Sequence, residues 1–268
     1  TTDAAHRGQG LASQLIREAV ADMKRQGCSL AMLWSDKDDF YFPLGFHRAG
    51  VETDLRFSFD SVGDAPEPSI ELENPDPCAI WRMYQRHEVK VDRSLEEQKL
   101  LLRVPRIRVF VTQKGSQLTS YLIVNKGADF TDYIHEWGGD MEALKRNIAH
   151  CQRHVFAKSP LTLIAPTHSS VSPLRAIAQE GWRGVLGLMK VLDGGALMAV
   201  YVDHLKRLNV PHSWSRETGV LKIEHREWVL KKDQEILLTV FGRGDQPEHG
   251  SMKKSPTLPF FLWGFDSI

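Results

Sequence analysis

The sequence predicts a mixed α/β (α+β) fold, with sheets flanked by helices, and its apolar spacing carries that expectation. Leu11, Leu15, Ile16, Ala19, Val20 and Met23 recur at the spacing of one helical stripe. Short runs such as Ser29 to Trp34, Ile107 to Val111 and Leu118 to Val124 read as strands instead.

The first helix is preceded by Arg7-Gly8-Gln9-Gly10-Leu11-Ala12. Arg17, Glu18, Asp22, Lys24 and Arg25 fall mostly off its apolar stripe, and Gly27 suits a C-terminal cap. A helix start leaves amides unpaired and carries partial positive charge, so it can seat a phosphate. Gly8 and Gly10 bear no side chain and can take positive φ, which lets consecutive amides converge on an anion. Arg7 adds a charge-assisted contact. The chemistry implied is a diphosphate held mainly by backbone; a tight loop into a surface helix is the other reading. A dinucleotide fingerprint fits poorly, because Ser13 stands where a third glycine is needed.

After the strand at 29–34, Asp36 to Asp39 are good helix-start residues. Phe40-Tyr41-Phe42-Pro43-Leu44-Gly45-Phe46 follows, with Arg48-Ala49-Gly50 and a further strand expected over Val51 to Phe59. Tyr41 is either a reactive phenol or a member of an aromatic cluster with Phe40, Phe42 and Phe46. Pro43 lacks an N–H and should break or tighten the turn there.

Ser61 to Pro77 is polar and proline-rich and reads as a linker. Helices are expected over Cys78 to Val89 and Ser94 to Leu102, with Ser94 as N-cap. Then come strands at 107–111, 118–124 and 133–137, a Gly-Gly-Asp turn and a helix from Met141 to His154. Strands at 160–165 and 184–192 enclose a helix at 172–179. A helix over 196–208, strands around 219–230 and 235–241, and an apolar tail strand at 258–265 complete the reading.

The motif at 7–12 and the segment 40–46, taken together, resemble the signature of the GNAT superfamily of acetyl-CoA-dependent N-acetyltransferases, whose loop reads Arg/Gln-x-x-Gly-x-Gly/Ala. In that family the opening strands precede this loop, whereas here it begins at residue 7, so the chain is expected to show the second half of a catalytic domain. The resemblance implies a GNAT-type mixed sheet and acetyl-CoA as co-substrate. It also implies direct attack by the primary amine of a small molecule or peptide. It puts Arg7, Gly8, Gln9, Gly10, Leu11 and Ala12 on the cofactor diphosphate, and Ser35 and Asp36 near its pantetheine or adenine end. Tyr41 takes the position that returns a proton to the CoA thiolate, a role that suits a phenol protonated at neutral pH. A backbone amide near Thr1-Thr2 would polarise the acetyl carbonyl.

The succession after residue 78 is similar again, but Trp137-Gly138-Gly139-Asp140-Met141-Glu142 puts carboxylates where a diphosphate would lie. The order resembles the tandem arrangement of the mycobacterial enhanced-intracellular-survival family. The expected division is a catalytic half-domain at 1–60, a linker at 61–77, a degenerate GNAT-like domain at 78–193 and a small sterol-carrier-like α+β unit at 194–268. That family also implies a base in the terminal carboxylate, here Ile268. The competing functional reading is a non-catalytic coenzyme A-binding or structural protein with a vestigial acetyltransferase domain.

Composition narrows the classes. In 268 residues, Lys+Arg and Asp+Glu are both 34, so no bulk charge draws the chain to nucleic acid or an anionic membrane. No apolar run is long enough to span a bilayer. Cys28, Cys78 and Cys151 are scattered and odd in number, which favours a reducing cytoplasm over a disulfide framework. His150 and His154 stand one helical turn apart, but no further ligand pair accompanies them, and no metal is expected. Homo-oligomerisation is left open.

Overall fold

The computed structural model describes residues 2–63, 69–127, 129–165, 171–244, 256–262 and 264. Along the chain come α1 (Leu11–Arg25), β1 (Leu30–Leu33), α2 (Asp38–Tyr41), β2 (His47–Ala49), β3 (Glu52–Phe57) and β4 (Ile70–Leu72). They are followed by α3 (Pro77–Tyr84), α4 (Leu95–Leu101), β5 (Arg108–Lys114), β6 (Gln117–Lys126), β7 (Asp129–Gly139) and α5 (Met141–His150). Next are β8 (Leu161–Ala165), α6 (Ser172–Arg175), β9 (Gln179–Gly184), β10 (Gly187–Val191) and α7 (Gly194–Arg207). The last are β11 (His212–Ser215), β12 (Val220–Ile223), β13 (Arg226–Val229) and α8 (Asp233–Phe241).

These elements form two units, each built from separate stretches of chain: Thr1–Val51 with Gly184–Leu258, and Glu52–Arg183 with Pro259–Ile268. The boundaries read from sequence lay at 60, 77 and 193. The difference has a specific cause, which is where two strands pair. In the first unit β10 lies between β1 and β2, antiparallel to both, with Leu30 opposite Val191 and Arg48 opposite Leu188. In the second, β3 lies between β8 and β9, with Thr53 opposite Ala165. Each sheet thus receives an internal strand from a remote part of the chain. Local apolar patterning marks such strands but carries no record of their partners.

The first unit's core gathers Ala31, Phe46 and Leu188, with Ile16, Val20, Met23, Leu33, Tyr41, Leu44 and Leu192 packed against them. The expected α1 stripe is only half used. Ile16, Val20 and Met23 meet the core, whereas Leu11 and Leu15 are 43% and 70% exposed. Periodicity identifies an apolar face but not what covers it. α8 packs against β10, β2 and α7, and β11, β12 and β13 form a separate antiparallel sheet. The strand expected at 235–241 is helical, because a short apolar run fits either state and Glu235 accepts from the amides of Lys231 and Lys232 to start a helix.

The second unit is a seven-stranded sheet in the order β4-β5-β6-β7-β8-β3-β9, with β7 and β8 parallel at Tyr133–Thr162 and Ile134–Leu163. Ile80 and Met83 of α3 pack on Val109, Val111, Tyr121 and Ile123. The expected linker contains a strand: Ile70 and Leu72 pair with Val111 and Val109, and Glu71 forms a 2.7 Å ion pair with Arg108. β7 runs on through Gly138 and Gly139, so those glycines end a strand instead of making a free turn. The helix expected to reach His154 is α-helical over Met141–His150 and continues as a π-helical turn over Cys151–Val155. The helix expected at 172–179 stops at Arg175. Residues 256–262 form no regular element where a strand was expected. Ile268 lies outside the described residues, as do 64–68 of the expected linker.

Candidate active site

The start of α1 differs from those of α3, α4, α5 and α7. Asp76, Ser94, Asp140 and Asp193 each cap α3, α4, α5 and α7 with a side-chain oxygen. α1 begins at Gly10 in the left-handed region, φ +75°, with no side-chain cap. Gly8 is also left-handed, at φ +78°. A Cβ at either position would meet nothing within 4 Å, so packing does not demand glycine there; the backbone conformation does. The first intrahelical bond runs from the Gln14 amide to the Gly10 carbonyl at 3.0 Å. The amides of Gln9, Gly10, Leu11, Ala12 and Ser13 have no hydrogen-bond partner among the described residues. They form an exposed row of donors at the positive end of a 15-residue helix. Such a row suits a diphosphate.

Arg7 leads into this row and donates from Nε to the Thr2 carbonyl at 3.3 Å. Asp3 caps a single 3-10 turn, Ala4–His6, just ahead of it. Thr2 lies in no strand, and Thr1 is outside the described residues. Ser35 plays a local part: its Oγ accepts from the Lys37 amide at 3.1 Å, stabilising the turn before α2. Asp36 is exposed beside it.

Tyr41 is the last residue of α2. A 3-10 turn, Phe42–Leu44, follows at once, so Pro43 tightens the chain as expected, and Gly45 closes it at φ +83°. The Tyr41 ring meets Phe40 edge-on at 4.9 Å and Phe46 at 5.8 Å. It therefore sits in an aromatic cluster, half-buried. No residue hydrogen-bonds its hydroxyl among the described ones. Packing and availability coexist. Tyr41 and the inner face of α1 share one core through Phe46, which ties the phenol to the helix that carries the glycine row.

Contacts not foreseen from sequence bracket this segment. Arg48 Nε donates to Asp38 Oδ2 at 2.7 Å, joining β2 to the first residue of α2. Lys190 Nζ, on β10, donates to the Leu44 carbonyl at 2.8 Å. His47 is held below its ordinary pKa, first by burial and then by the Lys190 charge, with Asp233 acting against both. A lysine 146 residues beyond its partner leaves no local signal in sequence.

His150 and His154 have ring centroids 4.7 Å apart, on the second unit. Among the described residues no group of three or more His, Cys, Asp or Glu side chains is placed to hold a metal ion. Nor is any helix among them long and apolar enough to cross a membrane.

Residues 1–49 match a family model described as an acetyltransferase (GNAT) domain. No curated protein matches the chain. Among solved structures, the chain is similar to a GCN5-related N-acetyltransferase from Kribbella flavida at 13% identity, covering 74% of this chain and 53% of that one, with a TM-score of 0.52. A GCN5-related N-acetyltransferase from Anabaena variabilis aligns at 16% identity over 70% of this chain and 52% of that one, with a TM-score of 0.50. Eis1 from Mycobacterium abscessus aligns at 14% identity over 73% and 55%, with a TM-score of 0.47. The chain spans about half the length of each of these three solved structures. At these identities the likeness is one of fold. Residues 1–49 thus match the acetyltransferase (GNAT) domain model, within a chain whose fold is similar to that of two GCN5-related N-acetyltransferases.

Proposed function

We propose that the protein transfers an acetyl group from acetyl-CoA to a primary amine by direct attack. The observation that carries this reading is the uncapped, glycine-relieved start of α1, where Gly8 and Gly10 hold left-handed backbone and the amides from Gln9 to Ser13 stay open. These amides would bind the cofactor's diphosphate, and Arg7 would add a cation beside them. Ser35, already engaged with the Lys37 amide, would contribute through its backbone rather than its hydroxyl.

The chemistry follows from the groups available. An alkylammonium has a pKa of about 10.4, so the amine must lose a proton before its lone pair can attack. A C–N bond then forms at the acetyl carbon, and the carbonyl oxygen takes up the displaced electron pair. As that tetrahedral species collapses, its nitrogen releases its extra proton to solvent, the C–S bond breaks and a thiolate is expelled. Tyr41 donates its phenolic proton to the leaving sulfur and regains one from solvent. Its hydroxyl has no competing acceptor among the described residues, and the aromatic ring is fixed on two sides.

The second unit is read as a GNAT-like domain without a cofactor. Asp140 Oδ1 accepts from the Ala143 amide at 2.9 Å and so fills the start of α5 with its own carboxylate, and Glu142 adds charge in the first turn. An anion would meet repulsion there.

The test is release of free thiol from acetyl-CoA by the full-length protein across a panel of primary amines, with Tyr41→Phe beside wild type. Losing one general acid should lower turnover by about a hundredfold while leaving acetyl-CoA affinity nearly unchanged. A Tyr41→Phe protein with wild-type turnover across the pH range would reduce Tyr41 to a packing residue.

A further inference from the structure

We infer that Lys190 is a positioning residue for Tyr41: its ammonium clamps the turn after α2 and so fixes where the phenol stands. This rests on the acetyltransferase reading above only for its catalytic consequence. The clamp itself is a statement about the fold.

The need for a clamp comes from length. α2 is a single turn, Asp38–Tyr41, and an isolated turn cannot hold its own geometry. The 3-10 turn that follows has Pro43 as its second residue, which removes an amide donor. Tyr41 must therefore be located by contacts from elsewhere. At the entry to the segment, Arg48 holds Asp38 at 2.7 Å. At the exit, Lys190 donates to the Leu44 carbonyl at 2.8 Å, an acceptor at the end of a helical turn.

Gly45 supports the assignment independently. A Cβ built at Gly45 would collide with Lys190 Nζ, so the ammonium lies directly against the glycine backbone. Gly45 holds φ +83°, and its amide donates to the Phe42 carbonyl at 2.9 Å. The next residue, Phe46, is buried, and its amide donates to the Tyr41 carbonyl at 3.2 Å. Its ring lies 5.8 Å from the Tyr41 ring and 6.0 Å from Lys190 Nζ. The contacts run without a gap from Lys190 through Leu44, Gly45 and Phe46 to Tyr41.

Lys190 is also a costly choice for packing alone. It stands on β10, the central strand of its sheet, half-buried, opposite Ala31. No carboxylate pairs with it among the described residues. An ammonium partly withdrawn from water without a counter-charge loses solvation that its hydrogen bond must offset. Here that bond goes to a backbone carbonyl three residues from Tyr41.

The experiment is Lys190→Met in the full-length protein, with Lys190→Arg as the conservative variant, read by two measurements. Amide hydrogen exchange at Gly45 and Phe46 reports the clamp, and steady-state acetyl transfer reports its consequence. Lys190→Met should speed exchange at both amides about tenfold or more, as local opening becomes easier. It should lower kcat by about tenfold to a hundredfold with KM for acetyl-CoA within about twofold, because a misplaced acid harms the step and not binding. Lys190→Arg keeps the charge and donors and should recover most of both. Lys190→Thr suits a strand but is too short to reach the Leu44 carbonyl, and should show the same split if Lys190→Met proves unstable. Unchanged exchange, or faster exchange with wild-type kcat in an active enzyme, overturns the inference. A wild-type protein that acetylates no amine, yet in which Lys190→Met loosens Gly45 and Phe46, defeats the acetyltransferase reading and leaves the clamp standing.

Discussion

Arg93 and Glu136 face each other at 2.6 Å inside the second unit, with side-chain exposures of 2% and 0%. Both members of the pair have further partners. Arg93 Nη1 also donates to Gln98 Oε1 at 2.8 Å, the Tyr121 hydroxyl donates to Glu136 Oε1 at 2.8 Å, and the guanidinium lies 3.6 Å over the Tyr84 ring. It joins the segment between α3 and α4 to the centre of the sheet. A buried pair of this kind contributes little over an apolar replacement, but breaking it strands a charge. Glu136→Leu should therefore cost about 3–5 kcal/mol, whereas Arg93→Met combined with Glu136→Leu should recover most of that loss. Urea unfolding of the transition that reports the second unit measures both. Equal destabilisation by the single and double variants would mean that the pair contributes real attraction.

Glu52, on β3, is pushed up to about 8, first by burial and then by the Asp54 carboxylate. The folded chain thus holds a proton on Glu52 across the interval in which the unfolded chain, with an ordinary value of 4.5, has released it. Stability should fall as pH rises from 4.5 towards 8 and level off above that. Glu52→Gln keeps the neutral shape and removes this dependence, so its advantage in thermal midpoint over wild type should grow between pH 5 and about pH 8. Asp54 is raised as well, again mainly by burial, and leaves a residual slope of the same sign. A constant difference between the two proteins at every pH would refute the assignment.

The local features of the site were legible because their causes are local. Left-handed glycines before an apolar stripe, the Ser94–Glu97 capping box and the Pro43 turn are each decided within a few residues. What escaped the sequence depends on distance. Nothing near Gly187 to Val191 states that this strand will lie between β1 and β2, and nothing near Leu44 anticipates Lys190. Leu11 and Leu15 show the other limit: they complete a periodic stripe yet remain exposed. The run Ile236 to Phe241 was read as a strand because six apolar or β-branched residues in a row fit either state.

Cys151 is fully buried, and its thiol is raised to about 12 by burial, which outweighs a hydrogen bond from Ser69 and the Arg108 charge. Thiolate is the reactive form, so Cys151 should resist modification in the folded protein. Cys28 and Cys78 are free and half-buried. A disulfide reagent at about pH 7.5 should therefore label those two and reach Cys151 only on unfolding, as read by intact mass. Labelling of Cys151 at a comparable rate would show that α5 and the π-helical turn open readily.

The glycine row can be tested against a control on the same helix. Gly10 at the start of α1 and Gly27 just beyond its end hold nearly the same backbone, φ +75° and φ +79°, and a Cβ at either would meet nothing within 4 Å. A side chain at either position therefore pays the same kind of cost, about 1–2 kcal/mol for a left-handed residue, without a collision. Only Gly10 borders the open amides. Gly10→Leu should weaken coenzyme A binding by about tenfold or more, because the side chain and any relaxation out of the left-handed region both disturb converging donors. Gly27→Leu should cost similar stability and leave affinity unchanged. Calorimetric titration with coenzyme A, with circular dichroism as the fold control, distinguishes the two. Equal loss of affinity in both variants would trace the effect to the stability of α1. Unchanged affinity in Gly10→Leu would remove the diphosphate from residues 7–12 and, with it, the observation on which the functional reading stands.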